Sequence, residues 1–171
     1  MTDFALAVNQ AMLMLSRNEQ TIFVGQSVLY DGATMYETLR GVPNDKRLEV
    51  PVLEDFQLGF CLGLSLKGRI PVCIYPRMDF LLLAMNQLVS HLDRFCEMGD
   101  FRPKVIVRTR VGPLKPLNAG PQHTGNYTEA LDLMLRNIDV VELNHADDVM
   151  QCYRDALASP YSRLVVENGN G

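Results

Sequence analysis

Three residues that lie far apart in the chain, Glu54, Phe80 and His123, are of types that could do chemistry together. A carboxylate and an imidazole can each give or accept a proton, and a flat apolar ring can pack against a planar ligand. Each also has an ordinary structural explanation: Glu54 as a first-turn acid favoured by the helix dipole, Phe80 as core, and His123 as a solvated loop residue. The case for a site therefore depends on whether the fold brings them together.

The elements that must position these residues are short apolar runs alternating with amphipathic segments. The predicted strands are Thr21–Val24, Arg47–Val52, Ile70–Tyr75, Lys104–Arg108, Asp139–Leu143 and Arg163–Glu167. The predicted helices are Asp3–Arg17, Thr34–Leu39, Glu54–Lys67, Met78–Met98, Thr128–Arg136 and Ala146–Ala158.

This alternation predicts an α/β protein with three layers, in which a mainly parallel six-stranded sheet is covered by helices on both faces. Glu54 and Phe80 follow the second and third strands, and His123 lies in the long Gly- and Pro-rich segment after the fourth. The carboxyl ends of parallel strands meet at one edge of the sheet, where such proteins bind ligands. The three side chains are therefore expected to converge there.

Composition excludes several classes of protein. The chain has 171 residues, of which 47% are hydrophobic and 21% charged, so one ordinary globular domain is expected. The net charge is −4 and the basic residues are scattered, which argues against a nucleic-acid partner. No apolar run approaches the roughly 20 residues that span a bilayer. The four cysteines show no paired spacing and predict reduced thiols in a cytoplasmic protein.

Familiar catalytic signatures are missing from the sequence. It contains no G-x-G-x-x-G or G-x-x-x-x-G-K-[ST] phosphate loop, no G-x-S-x-G elbow and no pair of helical histidines suited to zinc. We therefore expect no metal site in this chain, and catalysis by the chain alone is poorly supported.

The joint pattern resembles the pyrimidine-binding domain of thiamine-diphosphate-dependent enzymes, in particular the beta subunit of 2-oxo acid dehydrogenases of the transketolase-like family. The resemblance is carried by VPVLEDFQLGFCLGLSLKGRIPVCIYP with the helix after it, by FVGQSVLYDGA upstream and by GPQHTGN downstream. It extends in one register over essentially the whole chain. The matching residues are Pro51, Glu54, Gly59, Gly63, Gly68, Pro71, Asn86, Gln87, Gln122 and His123.

The resemblance implies a role for each of the three residues. Glu54 matches the glutamate that hydrogen-bonds the aminopyrimidine of thiamine diphosphate and promotes its imino tautomer. Phe80 matches the aromatic residue that packs against that ring. The role of Glu54 requires apolar surroundings, for which Leu53, Phe56 and Phe80 are the expected sources. His123 matches the active-site histidine beside the substrate carbonyl. The reaction implied is cleavage of the carbon–carbon bond next to the carbonyl of a 2-oxo acid or related ketone, by decarboxylation or by acyl or aldehyde transfer.

The resemblance also implies that this chain is half of a site. In the family a second domain holds the diphosphate and its magnesium through a Gly-Asp-Gly and a later Asn-Asn, and this sequence has neither. We therefore expect residues 1–171 to form a single pyrimidine-binding domain without the carboxyl-terminal transketolase domain. A separate diphosphate-binding, alpha-type subunit would complete the cofactor site, most simply in an α2β2 heterotetramer.

Departures from the family pattern keep alternatives open. Gln26-Ser27 stands where an acidic pair is expected, Asp55 where a less polar residue is usual, and Thr109-Arg110 where the family has Gly-Pro. A non-catalytic assembly or regulatory subunit that retains the fold is therefore a second hypothesis. A stand-alone ligand-binding α/β domain is a third. Within the enzyme class, a dehydrogenase component, a decarboxylase or transferase, and a transketolase-like half-enzyme all stay open.

Overall fold

The computed structural model describes residues 2–112 and 118–168, so part of the predicted loop after the fourth strand lies outside the described residues. The helices are α1 Asp3–Ser16, α2 Thr34–Thr38, α3 Glu54–Leu66, α4 Met78–Leu81, α5 Thr128–Met134 and α6 Ala146–Ala158. The strands are β1 Thr21–Gly25, β2 Arg47–Glu49, β3 Ile70–Ile74, β4 Ile106–Val111, β5 Asp139–Leu143 and β6 Arg163–Asn168.

The strands form one sheet in the order β2-β1-β3-β4-β6-β5, and every neighbouring pair is parallel. Helices α1, α2 and α6 pack on one face of this sheet and α3, α4 and α5 on the other, each face with its own apolar core. Central strand β3 is buried along its whole length, as expected for a parallel strand covered on both faces. The predicted three-layer α/β fold is confirmed.

The sheet is closely packed at the carboxyl end of β1. A Cβ atom added to Gly25 would lie 2.7 Å from the carbonyl oxygen of Ile74 on β3, a distance that backbone atoms cannot accommodate. Only glycine therefore lets the two strands run side by side up to this edge. The edge carries the residues singled out from the sequence.

Two predicted elements differ from the structure. The predicted second strand shortens to Arg47–Glu49, since the chain turns away before Pro51. The helix predicted over Met78–Met98 is broken into α4, a 3₁₀ turn at Leu82–Ala84, a π-helical stretch at Asn86–Leu92 and a further 3₁₀ turn at Phe95–Glu97. The 3₁₀ and π segments keep the chain turning while changing its pitch, so apolar spacing alone still resembles one helix.

The fourth strand extends further than predicted at its carboxyl end. Thr109 and Arg110, expected in the following loop, are strand residues paired with Val166 and Glu167 of β6. Within the described ranges, no helix is long and apolar enough to cross a membrane.

Candidate active site at the carboxyl edge of the sheet

Glu54 is the first residue of α3, and its position there is fixed by the end of the neighbouring strand. The Tyr75 hydroxyl, just beyond β3, donates a hydrogen bond to the Glu54 backbone carbonyl at 2.8 Å. Burial, together with Cys73 beside it, raises the pKa of the Tyr75 phenol, so the group remains a neutral donor. One turn along α3, the Gln57 amide donates to the Ile74 carbonyl at 2.8 Å and ties the helix to the same strand.

The Glu54 carboxylate has no hydrogen-bond partner within the described part of the chain. The residue is 7% exposed, and its carboxylate makes no hydrogen bond or ion pair with any residue in the described ranges. Its oxygens are not among the fully enclosed side-chain atoms that lack a partner there, so part of the carboxylate still reaches solvent. A carboxylate placed in this way can take part in a hydrogen bond with a ligand that enters the site.

Phe80 and His123 are brought together by the fold. Their ring centroids lie 5.6 Å apart with a tilt of 57° between the planes. Phe80 is in α4, directly after β3, and His123 is 43 residues further along the chain. The His123 backbone carbonyl accepts a hydrogen bond from Arg77 at 3.1 Å, and its ring atom Nδ1 is buried without a partner among the described residues. Arg77 therefore ties down the backbone of His123, and the imidazole ring lies against Phe80.

All three residues lie at the same edge of the sheet, but Glu54 is not in direct contact with the other two. Among the described residues, no hydrogen bond or ring contact joins Glu54 to Phe80 or His123. The two other side chains expected to surround Glu54 are instead about half exposed, Leu53 at 56% and Phe56 at 51%. Within this chain they leave the site open on one side.

Glu49 shapes the neighbouring loop after β1, and no sequence pattern points to it. Its carboxylate accepts hydrogen bonds from three successive backbone N–H groups, those of Ser27, Val28 and Leu29, at 2.6, 2.8 and 3.0 Å. Ser27 has a φ of 60°, a left-handed conformation that is uncommon for a residue other than glycine. These bonds fix the backbone at Gln26-Ser27, where the sequence departs from the family pattern. In this conformation the Gln26 Nε2 atom is buried with no partner among the described residues.

A buried ionic network lies behind the edge, between β4, β6, α6 and α2. Arg108 donates to both oxygens of Glu167, at 2.7 Å from Nε and 2.9 Å from Nη2, and to Thr38 at 3.0 Å. The Tyr153 hydroxyl donates to Glu167 at 2.7 Å. Burial opposes the charge on Arg108, but Glu167 outweighs it and the pKa of Arg108 is raised above its ordinary value. Sequence alone could not identify this network, because Arg108 and Glu167 lie 59 residues apart.

Taken together, the all-parallel sheet and its two helical layers define a transketolase-like α/β fold. Among solved structures, the chain superposes on one described as a split gene transketolase, inactive beta4 tetramer, with a TM-score of 0.77. The match covers 97% of this chain and 51% of that chain at 15% sequence identity.

The sequence relatives are beta subunits of 2-oxo acid dehydrogenases, so the resemblance seen in the sequence is confirmed. The chain is 24% identical over 166 residues to the 3-methyl-2-oxobutanoate dehydrogenase subunit beta of Mycobacterium tuberculosis, covering 94% of this chain and 47% of that protein. It is 32% identical over 108 residues to the human mitochondrial pyruvate dehydrogenase E1 component subunit beta, covering 59% of this chain and 30% of that one. The chain thus spans about half the length of the first of these relatives. No family model matches it.

Proposed function

We propose that this chain is the pyrimidine-binding subunit of a split thiamine-diphosphate-dependent enzyme that acts on a 2-oxo acid or a related ketone donor. The observation that carries the proposal is Glu54 at the start of α3, a largely buried residue whose carboxylate has no partner among the described residues and still reaches solvent. The names of the relatives and of the fold neighbour, 2-oxo acid dehydrogenase subunits and a transketolase, support this donor chemistry. Residues 1–171 would form one pyrimidine-binding domain, working in the cytoplasm.

Each of the three residues has a distinct task in this proposal. When bound, thiamine diphosphate supplies the carbanion stabilisation that the cleavage requires. The Glu54 carboxyl group would hold the aminopyrimidine by a hydrogen bond to a ring nitrogen and could exchange a proton there. The Phe80 ring would pack against the face of that heterocycle. The His123 imidazole, whose backbone is tied to Arg77, would give or accept a proton at the oxygen of the donor carbonyl.

The other half of the site would come from a diphosphate-binding, alpha-type subunit, most simply in an α2β2 heterotetramer. In the described part of the chain, no group of three or more His, Cys, Asp or Glu side chains is arranged to hold a metal ion. The assignment of magnesium and the diphosphate to that subunit rests on the resemblance to the family, in which a second domain holds both. The half-exposed Leu53 and Phe56 beside Glu54 give it an apolar surface to cover.

A non-catalytic subunit that retains the fold is the second candidate. It is favoured by Gln26-Ser27, which replaces the acidic pair of the family, and by Thr109-Arg110, which replaces its Gly-Pro. Such a subunit would bind the same partner without contributing a proton-transfer group. The two candidates differ in what happens when Glu54 is removed.

Replacement of Glu54 by alanine in the assembled complex separates these functions. The catalytic function predicts a loss in turnover of at least about a hundredfold, typical of an acid–base group. The matched control is Asp55→Asn, since Asp55 is the next residue of α3, is exposed, and accepts a hydrogen bond from Gln87 at 3.3 Å. Turnover near wild type for both variants would leave the scaffold function and rule out the catalytic one.

A further inference from the structure

Arg77 lies between the end of β3 and the start of α4, and backbone hydrogen bonds hold the chain on both sides of it. Before it, the Tyr75 N–H donates to the Arg108 carbonyl at 2.9 Å, so the chain is still tied to β4 there. After it, the Phe80 N–H donates to the Arg77 carbonyl at 3.2 Å. Arg77 itself is extended, with φ −148° and ψ 152°. Its backbone therefore joins Phe80 to the end of the central strand.

The side chain of Arg77 contacts a different part of the chain. Its Nη1 atom donates to the backbone carbonyl of His123 at 3.1 Å and, over a longer distance of 3.4 Å, to that of Gly112. These two residues lie 46 and 35 positions further along the chain than Arg77, and Gly112 directly follows β4. One nitrogen atom thus holds both the chain at the end of β4 and the residue that carries the imidazole.

The segment around His123 is held mainly by bonds within itself. The His123 N–H donates to the Gly120 carbonyl at 3.0 Å, and the Thr124 hydroxyl donates to the same carbonyl at 3.1 Å. These bonds form a local turn but do not attach it to the sheet. Among the described residues, the hydrogen bond from Arg77 is the one that joins residues 118–125 to another part of the chain. Arg77 is therefore the tether of this turn.

The imidazole ring depends on this tether for its position. Its Nδ1 atom is enclosed and has no partner among the described residues, whereas Nε2 is not one of the enclosed atoms and is the ring nitrogen that a ligand can reach. The ring lies against Phe80, with 5.6 Å between the two centroids. Phe80 is joined to the backbone of Arg77 and His123 to its side chain, so the guanidinium helps to keep the two rings together.

We propose that Arg77 is a positioning residue of the candidate active site: it holds the His123 backbone so that Nε2 of the imidazole faces the donor beside Phe80. The inference rests on the proposed function, since it assigns His123 to proton transfer with the donor. Arg77 itself acts only through His123. A displacement of about 1 Å in a reacting group can cost about a hundredfold in rate, so the loss of this tether should be visible in turnover.

The tether can be tested by NMR on the full chain without cofactor, through the nuclear Overhauser effect between the ring protons of Phe80 and His123. Arg77→Met removes the N–H donors and should abolish this effect. Arg77→Lys should retain it, because a single ammonium nitrogen can donate to both carbonyls as Nη1 does. The matched control is Arg69→Met, since Arg69 lies just before β3 and donates to the Glu19 carbonyl at 3.4 Å. An unchanged ring contact in Arg77→Met overturns the tether.

In the assembled complex, a double-mutant cycle shows whether Arg77 acts through His123. Arg77→Met should lower kcat at least about tenfold, with the affinity for thiamine diphosphate unchanged, and Arg77→Lys should restore most of the turnover. In a His123→Ala background the same Arg77→Met substitution should lower kcat no further. An equal loss in both backgrounds overturns the positioning role. Turnover near wild type in His123→Ala overturns proton transfer by His123 in the proposed function, while the ring contact in the isolated chain still decides whether Arg77 holds the ring.

Discussion

Individual polar side chains of this protein divide into those that fasten distant parts of the fold and those left available to a ligand. Gln57, Glu49 and Arg108 each hydrogen-bond residues far from them in the chain. The Glu54 carboxylate makes no such bond among the described residues, and His123 has a buried ring nitrogen without a partner there. Because buried polar groups are usually paired, these two side chains at the sheet edge mark the place where a ligand is expected.

The four cysteines give a prediction about single side chains. Burial raises the pKa of the Cys61 thiol, helped by Cys73, and burial also raises the pKa of Cys152. Cys96 is the partly exposed thiol, whereas the other three are buried. A thiol-specific reagent near neutral pH should therefore modify one thiol of the folded chain quickly, because the thiolate is the reactive form. Reagent absorbance measures the number of fast thiols.

Replacing Cys96 by serine should remove that fast phase and leave three thiols that react only on unfolding. Two or more fast thiols in the folded wild-type chain would contradict the assignment of the other three as inert core residues.

Among the helices and strands, the buried Arg108–Glu167 pair fastens β4 to β6 while Tyr153 and Thr38 bring in α6 and α2. Glu167→Gln should lower the free energy of unfolding by about 3–5 kcal/mol, because it leaves the fully buried Arg108 without its counter-charge. Urea denaturation followed by circular dichroism measures the change.

The matched control for Glu167 is Asp139→Asn. The Asp139 carboxylate pairs with Arg163 at 2.7 Å but is 63% exposed, so its loss should change the free energy of unfolding by at most about 1 kcal/mol. Equal changes in the free energy of unfolding for the two substitutions would show that the buried Arg108–Glu167 pair stabilises the fold no more than an exposed ion pair does.

Elements whose pattern is local could be predicted from the sequence, and those decided by distant partners could not. The bounds of β5 and α6 follow directly from their apolar spacing. The sequence predicts too early an end for β4, at Arg108, because Thr109 and Arg110 open a segment rich in Gly and Pro that is typical of a loop. Arg108 itself can lie in a buried strand because it pairs with Glu167, far along the chain. The π-helical stretch Asn86–Leu92 likewise leaves no distinct spacing in a run that is apolar on most sides.

The candidate site shows the same difference between local and distant determinants. Glu54, Phe80 and His123 could be proposed from the sequence because each follows a predicted strand, and parallel topology then places them at one edge. The contact between Phe80 and His123 agrees with that expectation. Glu49 could not be found, because its three hydrogen bonds go to a loop about twenty residues earlier. Its role depends on pairing between β1 and β2 that no local pattern specifies.

For the molecule as a whole, two glycines on α3 differ in what lies next to them. Gly59 faces another segment of the chain, and Gly63 does not face any described residue. A Cβ atom on Gly59 would lie 3.3 Å from the Gln87 side chain, so this glycine permits close approach of the segment after α4. A Cβ atom on Gly63 would meet no atom of the described residues within 4 Å, although a glycine within a helix is destabilising. Packing within the described chain therefore gives no reason for Gly63, whereas the partner subunit of the proposed function would give one if it packs against this part of α3.

Gly63→Ala should have opposite effects on the chain and on its assembly. The free energy of unfolding of the isolated chain should rise by about 0.5–1 kcal/mol, since alanine is the better helix former. Association with the diphosphate-binding subunit should weaken, because the added methyl group enters the contact. Thermal denaturation measures the first effect and analytical ultracentrifugation the second. Unchanged association would place the α3 surface around Gly63 outside the subunit interface.

The proposed function requires that Glu54 belong to a cofactor site completed by a second subunit. The decisive experiment is calorimetric titration of thiamine diphosphate with magnesium, first on this chain alone and then on its mixture with a diphosphate-binding subunit, ideally the product of the adjacent gene. We predict binding in the mixture only, lost in Glu54→Ala and retained in Asp55→Asn. Binding in the mixture that is unaffected by Glu54→Ala would contradict the assignment of Glu54 to the cofactor site.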